Sequence, residues 1–138
     1  MTPTVTPRTI LIVEDSPHTA ANLEIALSGV DGAEVRVAST GAEAMGMLEA
    51  AVAGGVAAVI TDLEMPAMDG FELIEWMRAL PRYARTPIIV ASGSSDPDWP
   101  HRVLALGANA CFPKPYSPRA LRRKLELLLG EIGVGEPH

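Results

Sequence analysis

Residues 56–70 read VAAVITDLEMPAMDG: an apolar run from Val56 to Thr61 ends on Asp62, and Glu64, Met65, Met68 and Asp69 follow within seven residues. A run with no charge and no alternation has the pattern of a strand covered on both faces; a strand with one wet face would alternate. A strand buried in that way belongs to a parallel sheet between two layers of helix, and parallel strands are joined by crossover helices. Similar runs should therefore recur, with a helical segment between each pair.

They do. Thr9 to Val13, TILIV, is a β-branched run of strand length, followed by Ser16-Pro17, an N-cap with proline at the first helical position. The helix so opened carries Leu23, Ile25, Ala26 and Leu27 on its apolar side and stops near Gly29. Ala33, Val35 and Val37 suggest a second strand. Thr40-Gly-Ala-Glu43 has the form of a capping box and starts a helix through Met45, Met47, Leu48 and Val52, ending before Gly54-Gly55. Asp69-Gly-Phe-Glu72 repeats that form ahead of Leu73, Ile74, Met77 and Leu80, and Pro81 closes the helix. Pro87 to Ala91 is a fourth strand, Trp99 to Leu106 a short helix, Ala110 to Phe112 a fifth strand, and Ser117-Pro118 opens a last helix through Leu121, Leu125, Leu128 and Leu129. Strand and helix alternate five times. Right-handed crossovers then favour a doubly wound α/β fold, a five-stranded parallel sheet in the order 2-1-3-4-5 of the flavodoxin-like type. The expected organisation is one domain over residues 9–130, with a flexible leader at 1–8 and a flexible tail at 131–138.

Composition narrows the function classes. The chain of 138 residues carries a formal net charge of −6 and is 48% apolar. A duplex-binding protein needs a basic stripe, and the densest basic cluster is Arg119, Arg122, Arg123 and Lys124 on one amphipathic helix, so no direct nucleic-acid partner is expected. The longest charge-free stretch, Ala50 to Thr61, is too short to span a bilayer and is broken by Gly54-Gly55. The first residues lack the layout of a signal peptide, and cytoplasmic residence without membrane insertion is the expectation. The single Cys111 allows no internal disulfide, and His18, His101 and His138 are scattered.

In a doubly wound sheet, ligands sit beyond the carboxyl ends of the strands. Those ends carry Glu14-Asp15 after the first strand, Asp62 after the third, Ser92 after the fourth and Lys114 after the fifth. Taken singly, each has an ordinary role as a cap, a turn residue or a solvated charge. Taken together, they converge on one edge. Three carboxylates so close require a cation or a proton, and hard oxygen ligands open to water suit Mg²⁺, which commonly shares its shell with phosphate oxygens. Lys114 and the Ser92 hydroxyl can then stabilise phosphoryl oxygens, and Asp62 is the candidate nucleophile, since carboxylates form aspartyl phosphates.

The motifs ILIVED, TDLEMPAMDGFEL, PIIVASG and KP resemble, as a set, the receiver domain of two-component response regulators, including the single-domain, chemotaxis-type regulators. The resemblance extends from Thr9 to Gly130. It implies that Asp62 is phosphorylated by a sensor histidine kinase or a histidine phosphotransfer protein. It also implies that Asp15 and Asp62 bind Mg²⁺ with the backbone carbonyl of Glu64, that Glu14 acts mostly through water, and that Ser92 and Lys114 contact the phosphoryl group. The output it implies is a protein-binding surface on the fourth helix, fifth strand and fifth helix, read by a downstream protein rather than by a substrate, so the chain is expected to be a signalling domain and not an enzyme. It acts through a partner, as a relay intermediate or as a fragment of a larger chain such as a hybrid kinase. The competing reading is an aspartate-nucleophile phosphohydrolase, whose members resemble D-x-D after the first strand, where this chain has ED.

Three positions, Cys111, Glu64 and Ser94, depart from or refine the pattern. Receivers usually carry an aromatic switch residue three positions before the lysine, and here that position is Cys111; Phe112, next to it, should point to the opposite face of the sheet. The switch region of this chain, Cys111 and Phe112, is therefore expected to work without ring rotation. Glu64 and Ser94 resemble positions that modulate the lifetime of the acyl phosphate, and an acidic side chain at Glu64 can either hinder or orient the attacking water.

Overall fold

The computed structural model describes residues 8–51, 55–65 and 67–134, with side chains through 130. The elements are β1 (Arg8–Val13), α1 (Pro17–Leu27), β2 (Ala33–Ala38), α2 (Gly41–Ala50), β3 (Ala58–Thr61), α3 (Gly70–Ala79), β4 (Ile88–Ser92), α4 (Trp99–Leu106), β5 (Ala110–Pro113) and α5 (Pro118–Val134), with a 3-10 turn at Pro81–Tyr83. All strand pairs are parallel, and the order is β2-β1-β3-β4-β5. The sequence expectation for the fold is met.

The unbroken apolar runs have the cause proposed for them. In β1, Leu11 and Val13 face α2, α3 and α4, while Ile10 and Ile12 face α1 and α5; Val59 and Ile60 divide in the same way in β3. Both faces are dry. Leu48, Leu73, Ile74, Met77, Trp99 and Val103 complete one layer, and Leu23, Leu27, Leu121, Leu125 and Leu128 the other. Each such side chain contributes about 1.5–3 kcal/mol by leaving water, against the conformational entropy of ordering it.

Local signals act as read, with some shifts. The Ser16 hydroxyl accepts from the Thr19 amide at 3.4 Å, and Asp69 forms a complete capping box with Glu72. At α2 the Thr40 hydroxyl accepts from the Glu43 amide, but the Glu43 carboxylate takes the amide of Ser39 at 2.7 Å, one residue earlier than a capping box would have it. Helix α2 ends at Ala50, short of the expected Val52, which with Gly54 lies outside the described residues. Ile25 is 73% exposed rather than on the apolar side of α1, because Ala20, Leu23 and Leu27 define the buried stripe and a residue two positions from Leu23 lies across the helix. Residues 1–7 of the expected leader and 135–138 of the expected tail lie outside the described residues, and α5 continues to Val134. Among the described residues no helix is long and apolar enough to cross a membrane.

Candidate functional site

The parallel register levels the carboxyl ends of the central strands. Val13 stands opposite Thr61 and Thr61 opposite Val90, so the residues just beyond β1 and β3 emerge side by side. The chain past β3 is pinned there: the Asp62 amide donates to the Val13 carbonyl at 3.1 Å, and the Thr61 hydroxyl donates to the Asp62 carbonyl at 2.8 Å. Gly70 lets α3 begin directly against this segment, because a Cβ at that position would collide with the Asp62 carbonyl oxygen and with Leu63.

Asp62 is buried, and its two oxygens have different partners. Oδ1 accepts from the amides of Leu63 at 2.6 Å and Glu64 at 3.2 Å, whereas Oδ2 accepts from the Lys114 ammonium at 2.9 Å. Lys114 also donates to Glu14 Oε1 at 3.3 Å, and Glu14 Oε2 accepts from the Ser16 amide at 3.2 Å. One ammonium thus bridges two buried carboxylates. Burial pushes the Glu14 carboxyl above its ordinary value; the Ser16 amide opposes this, and the Asp62 charge adds to it. Burial alone would lower the Lys114 pKa, but the hydrogen bond and charge of Asp62, with those of Glu14, outweigh it and hold the ammonium above its ordinary value. Lys114 is locked in the charged form.

Among the described residues no three acidic, histidine or cysteine side chains form a cluster able to hold a metal ion. The expected convergence of three carboxylates is therefore realised only by Glu14 and Asp62, with Lys114 as their counter-ion. Asp15 and Glu64 lie at the same edge with exposed side chains. The donors at this edge are nonetheless all hard oxygen groups, carboxylates and backbone carbonyls, which is the chemistry of a Mg²⁺ shell and not of a zinc shell.

Ser92, fully buried at the end of β4, accepts from the Ser94 amide at 3.2 Å, and its own carbonyl accepts from the Lys114 amide at 2.8 Å. The backbone thus ties the hydroxyl and the ammonium together. Cys111, opposite Val90, packs on the α2–α4 side of the sheet, and burial raises its thiol pKa. Phe112 packs on the α1–α5 side, its ring 6.2 Å from that of Tyr116. The two therefore face opposite ways, as alternation requires.

Sequence reading overlooked three neighbours. Tyr116 lines a cleft of about 450 Å³ with Lys114, Thr19, Asn22 and Leu23, and burial raises its phenol pKa. Arg102 and Asp96 form an ion pair of 3.2 Å on the way from Ser92 to α4. The alternate spacing of Ser92, Ser94, Asp96 and Asp98 was the available signal for the turn that holds them.

The comparisons with known proteins agree with this fold. A family model described as the response regulator receiver domain matches residues 10–126. Over 122 residues the chain is 37% identical to the transcriptional regulatory protein GltR of Pseudomonas aeruginosa, covering 88% of this chain but 49% of that protein. It is 33% identical over 121 residues to the chemotaxis protein CheY1 of Helicobacter pylori, covering 88% of this chain and 96% of that one. A solved CheY-like response regulator receiver domain protein from Methanospirillum hungatei matches with a TM-score of 0.82 at 27% identity, covering 94% of this chain and 99% of the other.

Proposed function

Because the chain belongs to the response regulator receiver domain family, we propose that Asp62 accepts a phosphoryl group from the phosphohistidine of a sensor histidine kinase or histidine phosphotransfer protein in the cytoplasm. The observation that carries this reading is the unequal dress of the Asp62 carboxylate. Oδ1 is held by two backbone amides, while Oδ2 is held by a lysine side chain that can be drawn to another anion. Oδ2 is the attacking oxygen. An O–P bond forms to it as the P–N bond of the donor breaks, and the nitrogen keeps the electron pair. Lys114 then follows the charge onto a phosphoryl oxygen, a distance its flexible stem can cover. Ser92 turns its hydroxyl hydrogen to another oxygen, since its lone pair already serves the Ser94 amide.

The oxygen-rich edge fits a divalent cation: Asp15 and Asp62 with the Glu64 carbonyl would hold it, and Glu14 would act through water. Bound there, Mg²⁺ would neutralise phosphoryl charge. Glu14 meanwhile keeps Lys114 near the acceptor. Glu64 and Ser94 flank the position that an attacking water would need and set the lifetime of the acyl phosphate. The output is a changed α4, β5 and α5 surface for a downstream protein, with Cys111 and Phe112 as the β5 part of the switch.

Incubation with acetyl phosphate and Mg²⁺ followed by intact mass tests the chemistry. One phosphoryl adduct is expected in the wild type and in Cys111→Ala and none in Asp62→Asn. An adduct that survives Asp62→Asn, or no adduct in any form, contradicts the proposal. Sustained turnover of a phosphate ester would favour the phosphohydrolase reading instead.

A further inference from the structure

The connection from β4 to α4, SGSSDPDW at Ser92 to Trp99, is a ladder of side chains that each bond two residues ahead. The Ser94 amide donates to Ser92 Oγ at 3.2 Å, the Asp96 amide to Ser94 Oγ at 3.2 Å, and the Asp98 amide to Asp96 Oδ1 at 2.9 Å. Short polar side chains favour such turns because each satisfies an amide that neither strand nor helix can reach. The three turns run in series: Ser94 and Asp96 each donate an amide to the preceding side chain and accept the following amide on their own.

The ladder ends on a cation. Asp96 Oδ2 pairs with Arg102 at 3.2 Å, one turn into α4, and the Arg102 guanidinium lies 4.2 Å from the centre of the Phe71 ring on α3. Phe71, Glu75, Arg102, Ala105 and Leu106 line a cleft of about 320 Å³ between the two helices. The guanidinium, over the Phe71 ring, forms part of its wall. Neither contact is strong, because both partners of the ion pair are about half exposed and an exposed cation–π contact is modest. Helix α4 has no side-chain N-cap to hold its first turn independently. Its other end is fixed: the Gly107 carbonyl at its C-terminus accepts from Arg78 Nε at 3.1 Å and Nη2 at 2.8 Å.

We propose that Asp96 and Arg102 are positioning residues for the Ser92 hydroxyl, and that phosphorylation of Asp62 draws Arg102 off Phe71 through the Ser92–Ser94–Asp96 ladder, opening the α3–α4 cleft. The proposal rests on the phosphoacceptor reading of Asp62. It supplies a route to the helix surface that does not need an aromatic ring at position 111. The ladder starts on the group that must rotate towards the phosphoryl oxygen and ends on a cation of α4 that lies against α3, so differential contact in the two states has a defined path.

The test uses the full chain with beryllofluoride and Mg²⁺, a mimic of the phosphoryl group, observed by NMR. The Arg102 side chain, shifted by the Phe71 ring current in the resting protein, is expected to lose that shift as the amides of Leu63 and Glu64 respond. In parallel, Arg102→Gln and Asp96→Asn are each expected to change the rate of acetyl-phosphate labelling by up to about fivefold. The double variant should be no worse than either single one, and Arg102→Lys should recover part of the rate. Beryllofluoride that perturbs Leu63 and Glu64 while Arg102 stays over Phe71 overturns the inference and leaves the phosphoacceptor reading intact. Wild-type labelling rates in both single variants do the same. If neither reagent affects the Asp62 segment, the phosphoacceptor reading fails and the inference fails with it.

Discussion

Two half-buried cations sit at opposite edges of the sheet, and they are dressed in opposite ways. Lys114, at the carboxyl edge, is bonded to two carboxylates, Asp62 and Glu14. Arg78, at the other edge, is bonded to neutral oxygens: the Gly107 carbonyl, the Tyr83 carbonyl at 2.8 Å and the Asn109 amide oxygen at 3.1 Å. Their pKa directions follow. Partner charges hold the lysine above its ordinary value in spite of burial, whereas burial lowers that of the arginine. The lysine answers to negative charge and can exchange one anion for another with little change of its surroundings. The arginine's planar fork fills a fixed set of acceptors joining α3, the 3-10 turn and the α4–β5 turn, and has no anion to exchange. On the proposed function, chemistry belongs to the first and architecture to the second, although both are single basic residues in the sequence.

Truncation should separate them. Lys114→Ala is expected to slow phosphoryl acceptance by on the order of 10²-fold, because a charge-stabilising donor aimed at the transferred group is lost. Arg78→Ala should label with acetyl phosphate at the wild-type rate in its folded fraction. Equal slowing in both variants would erase the distinction. In chemical denaturation the order reverses. Arg78→Ala should cost about 2–4 kcal/mol, since the Gly107 carbonyl loses both bonds to a charged donor, and the Tyr83 carbonyl and the Asn109 amide oxygen are left with the Thr86 and Ile88 amides alone. Lys114→Ala should cost less, because Glu14 and Asp62 can take up a proton or a cation in its place.

A smaller effect concerns pH in the metal-free protein. Glu14 has a folded pKa above its ordinary 4.5, so the folded state holds the proton more tightly, and stability falls as pH rises from 4.5 through the folded pKa. Glu14→Gln should flatten that slope and be the more stable form near neutrality. For Lys114 the sign is the same and the range differs: its contribution is complete below the ordinary 10.5 and is lost as pH rises through the higher folded value. Denaturation midpoints across the acidic, neutral and alkaline ranges check both signs. A slope unchanged by Glu14→Gln would contradict the first.

Much of the comparison was legible in the sequence on one side only. The uncharged strands announce a sheet covered on both faces, and strand ends carry Glu14, Asp62, Ser92 and Lys114 to one edge, because in a parallel sheet sequence position past the strand nearly fixes spatial position. Side-chain direction past the strand is less fixed. The sequence suggested three carboxylates around a cation, and the fold instead gathers two around Lys114, with the Asp15 side chain exposed beside the buried Glu14. Arg78 left no signal, since its partners are mostly backbone carbonyls, which every residue supplies, and Gly107 lies 29 positions away. Ile25 misled because an apolar residue in a helix need not lie on its buried stripe. Arg102 looked like one more surface charge, and only its approach to Phe71 distinguishes it.

The central claim is that the Asp62 carboxylate, held by Lys114, is the group that takes the phosphate. The most direct measurement is to label the protein with acetyl phosphate, reduce the acyl phosphate with borohydride and map the resulting homoserine by peptide mass. Homoserine at position 62 alone is the predicted result. Homoserine at another carboxylate, or an intact aspartate at 62 in protein that carries the phosphoryl mass, would contradict the account.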